Sequence, residues 1–548
     1  MKKYINQLGF KITFLLGIII SFSACKKDDQ PTEAARSFKP SDVKVSASAT
    51  SAKLTWTAPL MSTGKSLKYS IDFSTDSLFS SVKYSTTSDT TGVSVTEDNL
   101  SVRTKYYARV KANATETQPE SKYLVSSSFQ LTGIQLFLAI RDLEIKETGV
   151  TLRYIPTVGL TSIVLTPTAG NVITATLSTG DAAAGLKTIT GLTAGVKYSA
   201  ELFAGTKSKG ITTFTTQTPT SYTTVISATD DLVATIAGAA NGAVIGLNPG
   251  TYNLTAATTF ITQKTITLKS TSGNATDTKI NYKEFDLEGT GAGLTLSGLE
   301  LDGTIGASPY FINLIGSQTN VAAAATFTNI VVDNCIAHGS TTAFLRGDRG
   351  NAIKDFKITG ITVNNSIVYD MGANGTSTYY TFNITKLQFN TLTVSKSTFY
   401  NCGPGLVLTS TAFVGDQTPT VLISYSTFNA FGGSTKYALL DANTNPINFS
   451  IQNSILANTP KAGTVNAAAI RGTGAGSSIT ISNTNYFNLN SALTGGTALT
   501  FGPATLSVTQ QQNLGWTAAT TDFTLPVGST LRTSSTTGIA IGDPRWAF

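Results

Sequence analysis

The sequence predicts an all-β protein whose C-terminal part is a right-handed parallel β-helix. Between Leu294 and Tyr486 one short phrase of alternating apolar and polar residues recurs seven times, about thirty residues apart. A fixed period of this size indicates stacked units of one kind. The alternation within each phrase has a period of two, so each unit is built from strands rather than helices.

The copies can be laid in register, one per coil. They read LSGLEL, VDNCIA, VNNSIV, VSKSTF, ISYSTF, IQNSIL and ISNTNY, and begin at Leu296, Val332, Val363, Val394, Ile423, Ile451 and Ile481. Because adjacent coils lie about 4.8 Å apart, equivalent residues should form columns along the axis. Helical and leucine-rich repeats are excluded, since the phrases have neither helical periodicity nor a leucine framework.

Three inward columns and one turn column follow from this register. The first inward column consists of Val332, Val363, Val394, Ile423, Ile451 and Ile481, which begin copies two to seven. The second consists of small residues, namely Cys335, Ser366, Ser397, Ser426, Ser454 and Thr484. The third consists of Leu301, Ala337, Val368, Phe399, Phe428, Leu456 and Tyr486. The turn column consists of Asn334, Asn365, Asn453 and Asn483, and Asn tolerates left-handed backbone.

The flanks of the repeat carry a resemblance to a known superfamily. Residues Gly242 to Leu254, GAVIGLNPGTYNL, resemble the first coil of the pectin-lyase-like β-helix proteins. The segments DFTLPVGSTL from Asp522 and IGDPRW from Ile541 resemble the closing segment of such proteins among Bacteroidota-type lipoproteins. The resemblance covers residues 223–548. It implies the fold alone, because this fold hosts lyases, hydrolases, esterases and binding proteins.

The first residues resemble a lipoprotein signal peptide over residues 1–24. Lys2 and Lys3 precede an apolar stretch that is too short for a membrane span and ends in FSAC at Cys25. The resemblance implies that Cys25 carries the lipid, that residues 25–38 form a tether, and that the protein is anchored at the outer membrane facing outward. An uncleaved signal anchor is the alternative.

Two sandwich domains are predicted between the tether and the β-helix. Residues 39–131 resemble a fibronectin type III domain, with Trp56 in the core strand and Tyr106 in the tyrosine corner. Residues 132–217 resemble a second, divergent copy, in which Tyr154 stands where Trp is expected. Residues 218–222 are a linker. Such domains usually space a working domain, and binding is the alternative.

Charge and cysteine content exclude several classes of function. The whole chain carries +7, but residues 223–548 hold 15 basic and 16 acidic residues, so nucleic acid is not an expected partner. Cys335 and Cys402 fall two coils apart in different columns, so both should be free and buried. Two separated cysteines and one histidine make no metal cluster.

The strand after the Asn turn is the strongest candidate for ligand binding. One of its two outward columns holds an acid, an imidazole, two phenols and an amide, namely Asp302, His338, Tyr369, Tyr400 and Asn429. Aromatic faces and polar groups in a row suit a polysaccharide. The alternative is an exposed ladder of strand-forming residues that only stabilises stacking.

Catalysis has weaker support. Glu300 and Asp302 lie two residues apart beside His338 and could form an acid/base group. Arg346, Arg349 and Lys354 could each supply the base of a lyase. The resemblance implies that a lyase would use Ca²⁺ held by clustered Asp, but the Asp residues of the repeats fall in different columns. No metal site is therefore expected.

The leading hypothesis is a surface lipoprotein of polysaccharide capture that binds a glycan along the outer face of the β-helix. Its expected partners are a polysaccharide, the outer membrane and an outer-membrane glycan-uptake complex. An enzyme is the alternative, more readily a pectate-lyase-like polysaccharide lyase than a glycoside hydrolase. A third hypothesis is an adhesion or structural protein.

Overall fold

A computed structural model describes residues 36–352, 354–373, 377–409 and 417–548. The predicted signal peptide, Cys25 and most of the tether lie outside the described residues. By their contacts, the chain divides into two compact units. The first comprises Met1–Leu138, Leu152–Lys187 and Lys197–Phe214; the second comprises Ala139–Thr151, Thr188–Val196 and Thr215–Phe548.

The first part of unit 1 is a β-sandwich. One sheet consists of Ser41–Ala47, Ser51–Thr57 and Gly92–Thr96; the other consists of Tyr69–Ser74, Val82–Ser88, Lys105–Ala112 and Leu124–Val125, with Phe129–Gln130 paired to its third strand. Trp56 packs edge-on against Tyr69 in the core, with ring centroids 5.2 Å apart. The Tyr106 hydroxyl accepts a hydrogen bond from the backbone N–H of Ser101 at 3.2 Å, which confirms the predicted tyrosine corner.

The predicted second sandwich region also consists of strands. A four-stranded sheet contains Ile173–Thr176, Ser162–Pro167, Lys197–Ala204 and Lys207–Thr215, and a two-stranded sheet contains Gly149–Arg153 and Leu186–Thr190. A short α-helix, Thr179–Ala184, is capped by Ser178. Tyr154 is buried, and its hydroxyl donates to the carbonyl of Asp181 at 3.0 Å. The domain boundaries at 131 and 217 stay predictions.

A parallel β-helix of about nine coils forms most of unit 2. The α-helix Leu232–Gly238 lies near its start and is capped by the Asp231 carboxylate. Three sheets of parallel strands follow one another around each coil, and we name them sheets A, B and C. Sheet A contains Thr224–Ile226, Val244–Leu247, Thr265–Ser270, Gly293–Ser297, Ala325–Asp333, Phe356–Asn364, Leu387–Ser395, Thr420–Ser424, Asn448–Gln452, Ser478–Ser482 and Thr505–Ser507.

The other two sheets have shorter strands. Sheet B contains Gly250–Leu254, Thr278–Tyr282, Glu300–Asp302, Ile336–His338, Ile367–Tyr369, Thr398–Tyr400, Thr427–Asn429, Ile455–Thr459 and Asn485–Leu489. Sheet C contains Thr259–Thr262, Phe285–Glu288, Tyr310–Ile315, Ala343–Arg346, Phe382–Asn383, Val407–Leu408, Leu440–Asn443 and Ile470–Gly472. Short 3-10 helices span Asp142–Glu144, Ala275–Asp277, Thr530–Thr533 and Pro544–Trp546.

The predicted register is confirmed. Val332, Val363 and Val394 pair directly and are fully buried, and the column continues through Ile423 to Ile481. In the second column the N–H of Ser366 donates to the Ser397 hydroxyl at 3.1 Å. Equivalent bonds join Cys335 to Ser366, Ser397 to Ser426 and Ser426 to Ser454. Buried N–H groups rarely stay unpaired, so this ladder explains the small polar residues.

The turn between sheets A and B has left-handed backbone at every copy. The φ angle is +52° at Asn334 and +47° at Asn365. Lys396 and Tyr425 hold the same conformation at +49° and +47°, so the coil geometry imposes it even where Asn is missing.

Cys335 and Cys402 are free and buried, as predicted. Among the described residues, no helix has the length and apolarity needed to cross a membrane.

A segment after sheet A covers part of sheet B from outside. Trp516, Phe523 and Leu525 pack with Ile455 and Phe487 of that sheet in a separate apolar cluster. The buried Asp543 carboxylate accepts a hydrogen bond from the Thr398 hydroxyl at 2.7 Å. We call residues 510–548 the C-terminal cover.

Candidate functional site

The predicted ligand-binding row lies on sheet B in the predicted register. Asp302 pairs with His338, His338 with Tyr369, Tyr369 with Tyr400, and Tyr400 with Asn429. The imidazole of His338 stacks on Tyr369 with ring centroids 4.5 Å apart, and Tyr369 stacks on Tyr400 at 4.9 Å. The rings therefore turn their faces toward one another along the axis. The Tyr369 face is used in this stack rather than offered to a sugar.

The C-terminal cover lies over part of the end of this row. Asn429 is 0% exposed, and its side-chain N–H donates to the carbonyl of Thr517 in the C-terminal cover at 2.9 Å. Tyr400 contacts Phe523 of the cover, with centroids 5.7 Å apart. The prediction that Asn429 has an outward, exposed side chain is wrong, because the cover lies over it. Tyr400 stays partly exposed, and its place in a binding row stays a prediction.

The start of the row is a compact charged cluster around a lysine that sequence reasoning missed. The Lys279 Nζ lies 2.7 Å from Asp302 Oδ2 and 3.1 Å from Glu300 Oε1. His338 lies beside both acids, with Nε2 3.5 Å from Glu300 Oε1 and Nδ1 3.7 Å from Asp302 Oδ1. Burial opposes ionisation of Asp302, but hydrogen bonds from Lys279 and Thr304 outweigh it and lower the pKa of Asp302 to about 2.

This cluster does not fit the acid/base pair predicted for a hydrolase. Glu300 and Asp302 share one ammonium group, whereas glycoside hydrolysis needs two carboxyl groups about 5–9.5 Å apart with different protonation. Oxygen and nitrogen atoms of Glu300, Asp302 and His338 lie within 4.8 Å of one another, and they form the one group of three metal-ligand side chains found among the described residues. Lys279 already supplies a cation there, so the cluster is better described as an internal ion network.

The predicted basic residues lie elsewhere, on or beside sheet C. Arg346 is on a sheet C strand and forms a local ion pair with Asp348 at 2.7 Å. Its guanidinium lies over the rings of Tyr310 and Tyr379, at 4.9 and 5.3 Å from their centroids. Arg349 donates from Nε to Asn313 Oδ1 at 3.2 Å. Lys354 is exposed in the following turn.

The outer face of sheet C has its own polar row. Consecutive coils place one side chain each in direct register: Asp286, Asn313, Arg346, Asn383, Leu408, Asp441 and Arg471. We name this set the sheet C row. Asn313 donates to Asp286 at 3.1 Å, and Asn383 donates to Asp348 at 3.0 Å. Arg471 forms a bidentate ion pair with Asp441, at 2.7 and 2.8 Å.

Two buried acids at the start of this row hold a proton. Burial, reinforced by the neighbouring charge of Asp286, raises the pKa of Glu284 to about 8. Burial also raises the pKa of Asp286, and Arg349 opposes the shift at both groups. The two carboxyls hydrogen-bond to each other, so they act as one unit with a shared proton.

Sequence reasoning missed Glu284, Asp286, Asn313, Tyr310 and Tyr379. The signal was present in the matched strands AFLR, ALLD and AAIR, which end at Arg346, Asp441 and Arg471. The segments EFDLE and YFINL are earlier copies of this strand. They come before the regularly spaced copies of the repeated phrase, so the sequence alone does not align them with the later strands.

The comparisons with known proteins concern the N-terminal part. Residues 38–127 match the family model of the fibronectin type III domain. A two-domain fibronectin type III segment of chicken tenascin is 18% identical and covers 33% of this chain and 99% of its own, with a TM-score of 0.18. The FN1–FN3 domains of chicken CNTN1 are 11% identical and cover 34% of this chain and 67% of their own, with a TM-score of 0.16. No curated protein matches the chain significantly.

Together, fold and family match define an all-β protein in which a fibronectin type III sandwich precedes a parallel β-helix. Such an architecture is consistent with a carbohydrate-associated or structural surface protein.

Proposed function

We propose that this protein captures a polysaccharide at the cell surface and binds it along the outer face of sheet C. The observation that carries the proposal is the sheet C row, in which the partly exposed Arg346 and Arg471 are held in register by buried carboxyl and amide side chains. Arg346 and Arg471 lie four coils apart in this row, about 19 Å at about 4.8 Å per coil, so an extended ligand can contact both. This location replaces the sheet B row as the preferred binding face.

Aromatic rings beside the arginines support a sugar ligand. Tyr310 and Tyr379 are half-buried and meet edge to face at 5.8 Å, while Arg346 lies against both. Tyr437 holds the same relation to Arg471, at 4.8 Å. Rings of this kind have an apolar body and a polar tip, which suits a ligand with apolar faces and hydroxyl edges.

The surface location is part of the proposal and rests on the N-terminal sequence. A lipid on Cys25 would anchor the chain in the outer membrane, and the fibronectin type III domain would act as a spacer. A glycan-uptake complex is the expected partner at that location. Palmitate labelling of the wild type that is lost in Cys25→Ser would support the anchor.

Binding is tested by affinity electrophoresis of the purified protein on a panel of neutral and acidic polysaccharides. The double variant Tyr310→Ala/Tyr379→Ala should weaken retention about tenfold, since each ring contact contributes about 0.5–1.5 kcal/mol. Tyr369→Ala on sheet B is the matched control and should keep wild-type retention. The reverse pattern would place the ligand on sheet B. No retention of the wild type on any polysaccharide would favour an adhesion or structural role.

A second candidate is a polysaccharide lyase, and the protonated pair Glu284–Asp286 beside Arg349 favours it over a hydrolase. A pair that shares a proton cannot also be the two separated carboxyls of glycoside hydrolysis. A lyase needs a base and a cation near the sugar carboxylate, and this pair with Arg349 offers both once it ionises. Unsaturated products absorbing in the ultraviolet, formed from an acidic polysaccharide and lost in Glu284→Gln, would establish it. Their absence, with and without Ca²⁺, leaves binding as the function.

A further inference from the structure

A small pocket lies among the turns that follow sheet B, apart from the sheet C row. Its volume is about 230 Å³, and it spans the turns after four consecutive strands, from Ile367–Tyr369 to Ile455–Thr459. Pockets that hold drug-sized ligands measure roughly 300–1,000 Å³. This pocket is therefore the size of a single small group such as one sugar ring.

Glycines keep the pocket open. Five of the lining residues are glycines, namely Gly372, Gly403, Gly432, Gly433 and Gly463. A Cβ atom on Gly372 would lie 2.6 Å from the carbonyl oxygen of Thr342, and one on Gly433 would lie 3.0 Å from that of Ala462. Side chains at these positions would collide with the backbone. The walls are consequently peptide groups, and the rim is formed by the exposed residues Ser434, Gly463 and Thr464.

Lys461 is the charged residue of the pocket lining. Its Nζ donates to the carbonyl of Ala373 at 2.7 Å, and no ion pair joins it to an Asp or Glu among the described residues. Burial lowers the pKa of Lys461, while the charge of Asp370 opposes the shift. Asp370 is itself hydrogen-bonded by Asn401. Asp370 is close enough to act through its charge but forms no direct ion pair with Lys461, so an anion from outside that contacts the partly buried ammonium would stabilise it.

The floor of the pocket supplies no such anion. Cys402 is buried, and its thiol faces the carbonyls of Tyr400 and Val368 at 3.4 and 3.8 Å. Burial raises the pKa of Cys402 to about 12, so the thiol is neutral at physiological pH. Cys402 therefore contributes an apolar surface under Lys461 rather than a thiolate.

We propose that this pocket binds the carboxylate of a single acidic sugar, with the ammonium of Lys461 as its counterion. A charge-assisted hydrogen bond to a carboxylate is among the stronger single contacts in proteins. The hydroxyls of Ser434 and Thr464 on the rim can meet the hydroxyls of the sugar. One lysine balances the single charge of a carboxylate, whereas the higher charge of phosphate calls for a second cation that the lining does not contain.

The test measures binding of free galacturonate to the full-length protein by titration calorimetry at pH 7, with glucose, acetate and inorganic phosphate as comparison ligands. Galacturonate should bind at least tenfold more tightly than glucose, acetate or phosphate. Lys461→Met should weaken galacturonate binding about tenfold or more, because a hydrogen bond to a charged group is lost. Lys357→Met, an exposed lysine on sheet A, is the matched control and should bind as the wild type does.

A rim variant keeps the test decisive if Lys461→Met fails to fold. Thr464→Phe places a bulky ring at the exposed mouth, leaves the ammonium intact and should also abolish galacturonate binding. Equal binding by the wild type and Lys461→Met, tighter binding of phosphate or acetate, or no galacturonate binding by the wild type would each overturn the proposal. Since the ligand is a free sugar acid and the pocket is separate from sheet C, these outcomes do not depend on retention of polysaccharides there.

Discussion

At the scale of single residues, the β-helix accommodates buried acids in two different ways. On sheet B, Lys279 lies between Glu300 and Asp302, and its hydrogen bond helps to lower the pKa of Asp302 despite burial. On sheet C, Glu284 and Asp286 share a proton, because burial outweighs the attraction of Arg349. The first arrangement is complete within the protein. The second leaves a carboxyl pair whose charge changes within an accessible pH range, so a ligand or a change of pH can alter its protonation.

The protonated pair predicts an unusual dependence of stability on pH. The pKa of Glu284 is raised in the folded state, so its contribution to stability is full below its ordinary pKa and is lost as pH rises toward about 8. Glu284→Gln cannot ionise, and its amide can still donate to Asp286. We expect this variant to gain stability relative to the wild type as pH rises from about 5 to about 8. Urea midpoints measured across that range check it.

Glu288→Gln, at the end of the strand that begins just after Glu284, is the control for this prediction. Glu288 accepts hydrogen bonds from Thr262 and Gln318, which outweigh burial and lower its pKa, so its stabilising effect is present at neutral pH. That variant should be less stable than the wild type by a constant amount over the same range. A constant difference for Glu284→Gln as well would contradict the shared-proton description.

The residues missed by sequence reasoning have a common cause. Register can be read from sequence only where coils have nearly equal length, as they do from Val332 onward, with steps of 28 to 31 residues. Lys279 pairs with Thr251 and Glu300, so the steps along this column are 28 residues and then 21. A step of 21 residues does not fit a period of thirty, so the period does not predict that Lys279 lies beside Glu300. The sequence also does not predict that Glu284 is buried, because its burial depends on the conformation of the turn between sheets B and C.

At the scale of elements, the small-residue column is held by hydrogen bonds as well as by packing. Ser397 accepts from the N–H of Ser366 at 3.1 Å and donates to the carbonyl of Ser395 at 2.7 Å. Ser397→Ala would leave the buried N–H of Ser366 without a partner, which costs about 1–3 kcal/mol. We expect a lower urea midpoint and faster amide exchange at Ser366.

Two variants control this prediction. Ser395→Ala lies two residues away, is partly buried and should cost less, because its hydroxyl bonds to the side chain of Asn364. Ser397→Cys should also cost less, because Cys335 already occupies an equivalent position with its thiol 3.3 Å from the carbonyl of Asp333. If Ser397→Ala were as stable as Ser395→Ala, packing alone would account for the column.

The elements that could be predicted are those with a repeating pattern. Alternation in the phrases gave the strands of sheets A and B and their register, because a slip of one residue would have turned apolar side chains outward. The C-terminal cover has no such period. Nothing in the sequence shows that this segment packs on sheet B, where Phe523 contacts Tyr400, and the error at Asn429 follows from that.

At the scale of the whole molecule, the cover determines which face of the β-helix is open to a ligand. Sheet B near its C-terminal end is apolar outside as well as inside, with Ile455, Ala457 and Phe487 in contact with the cover. An uncovered apolar face of this kind would promote association between molecules. Under the proposed function, the polysaccharide therefore lies on sheet C, away from the cover.

Phe523 is the residue on which the cover depends most. It is fully buried and contacts Tyr400, Trp516 and Trp546, with ring centroids 5.7, 5.1 and 5.7 Å away. Phe523→Ala should cost about 3–5 kcal/mol, the range for removing a buried aromatic ring. We expect the cover to loosen at a lower temperature than the rest of the β-helix, seen as a red shift in fluorescence, since two of the three tryptophans lie beside this ring.

The control for the cover is Val527→Ala, because Val527 is 93% exposed and belongs to the same segment. It should leave both the melting temperature and the fluorescence unchanged. Because the cover lies on sheet B, Phe523→Ala should also retain polysaccharide as the wild type does at temperatures where the coils remain folded. Loss of retention at those temperatures would mean that the ligand contacts the cover, and would return the binding site to the row of Tyr369 and Tyr400.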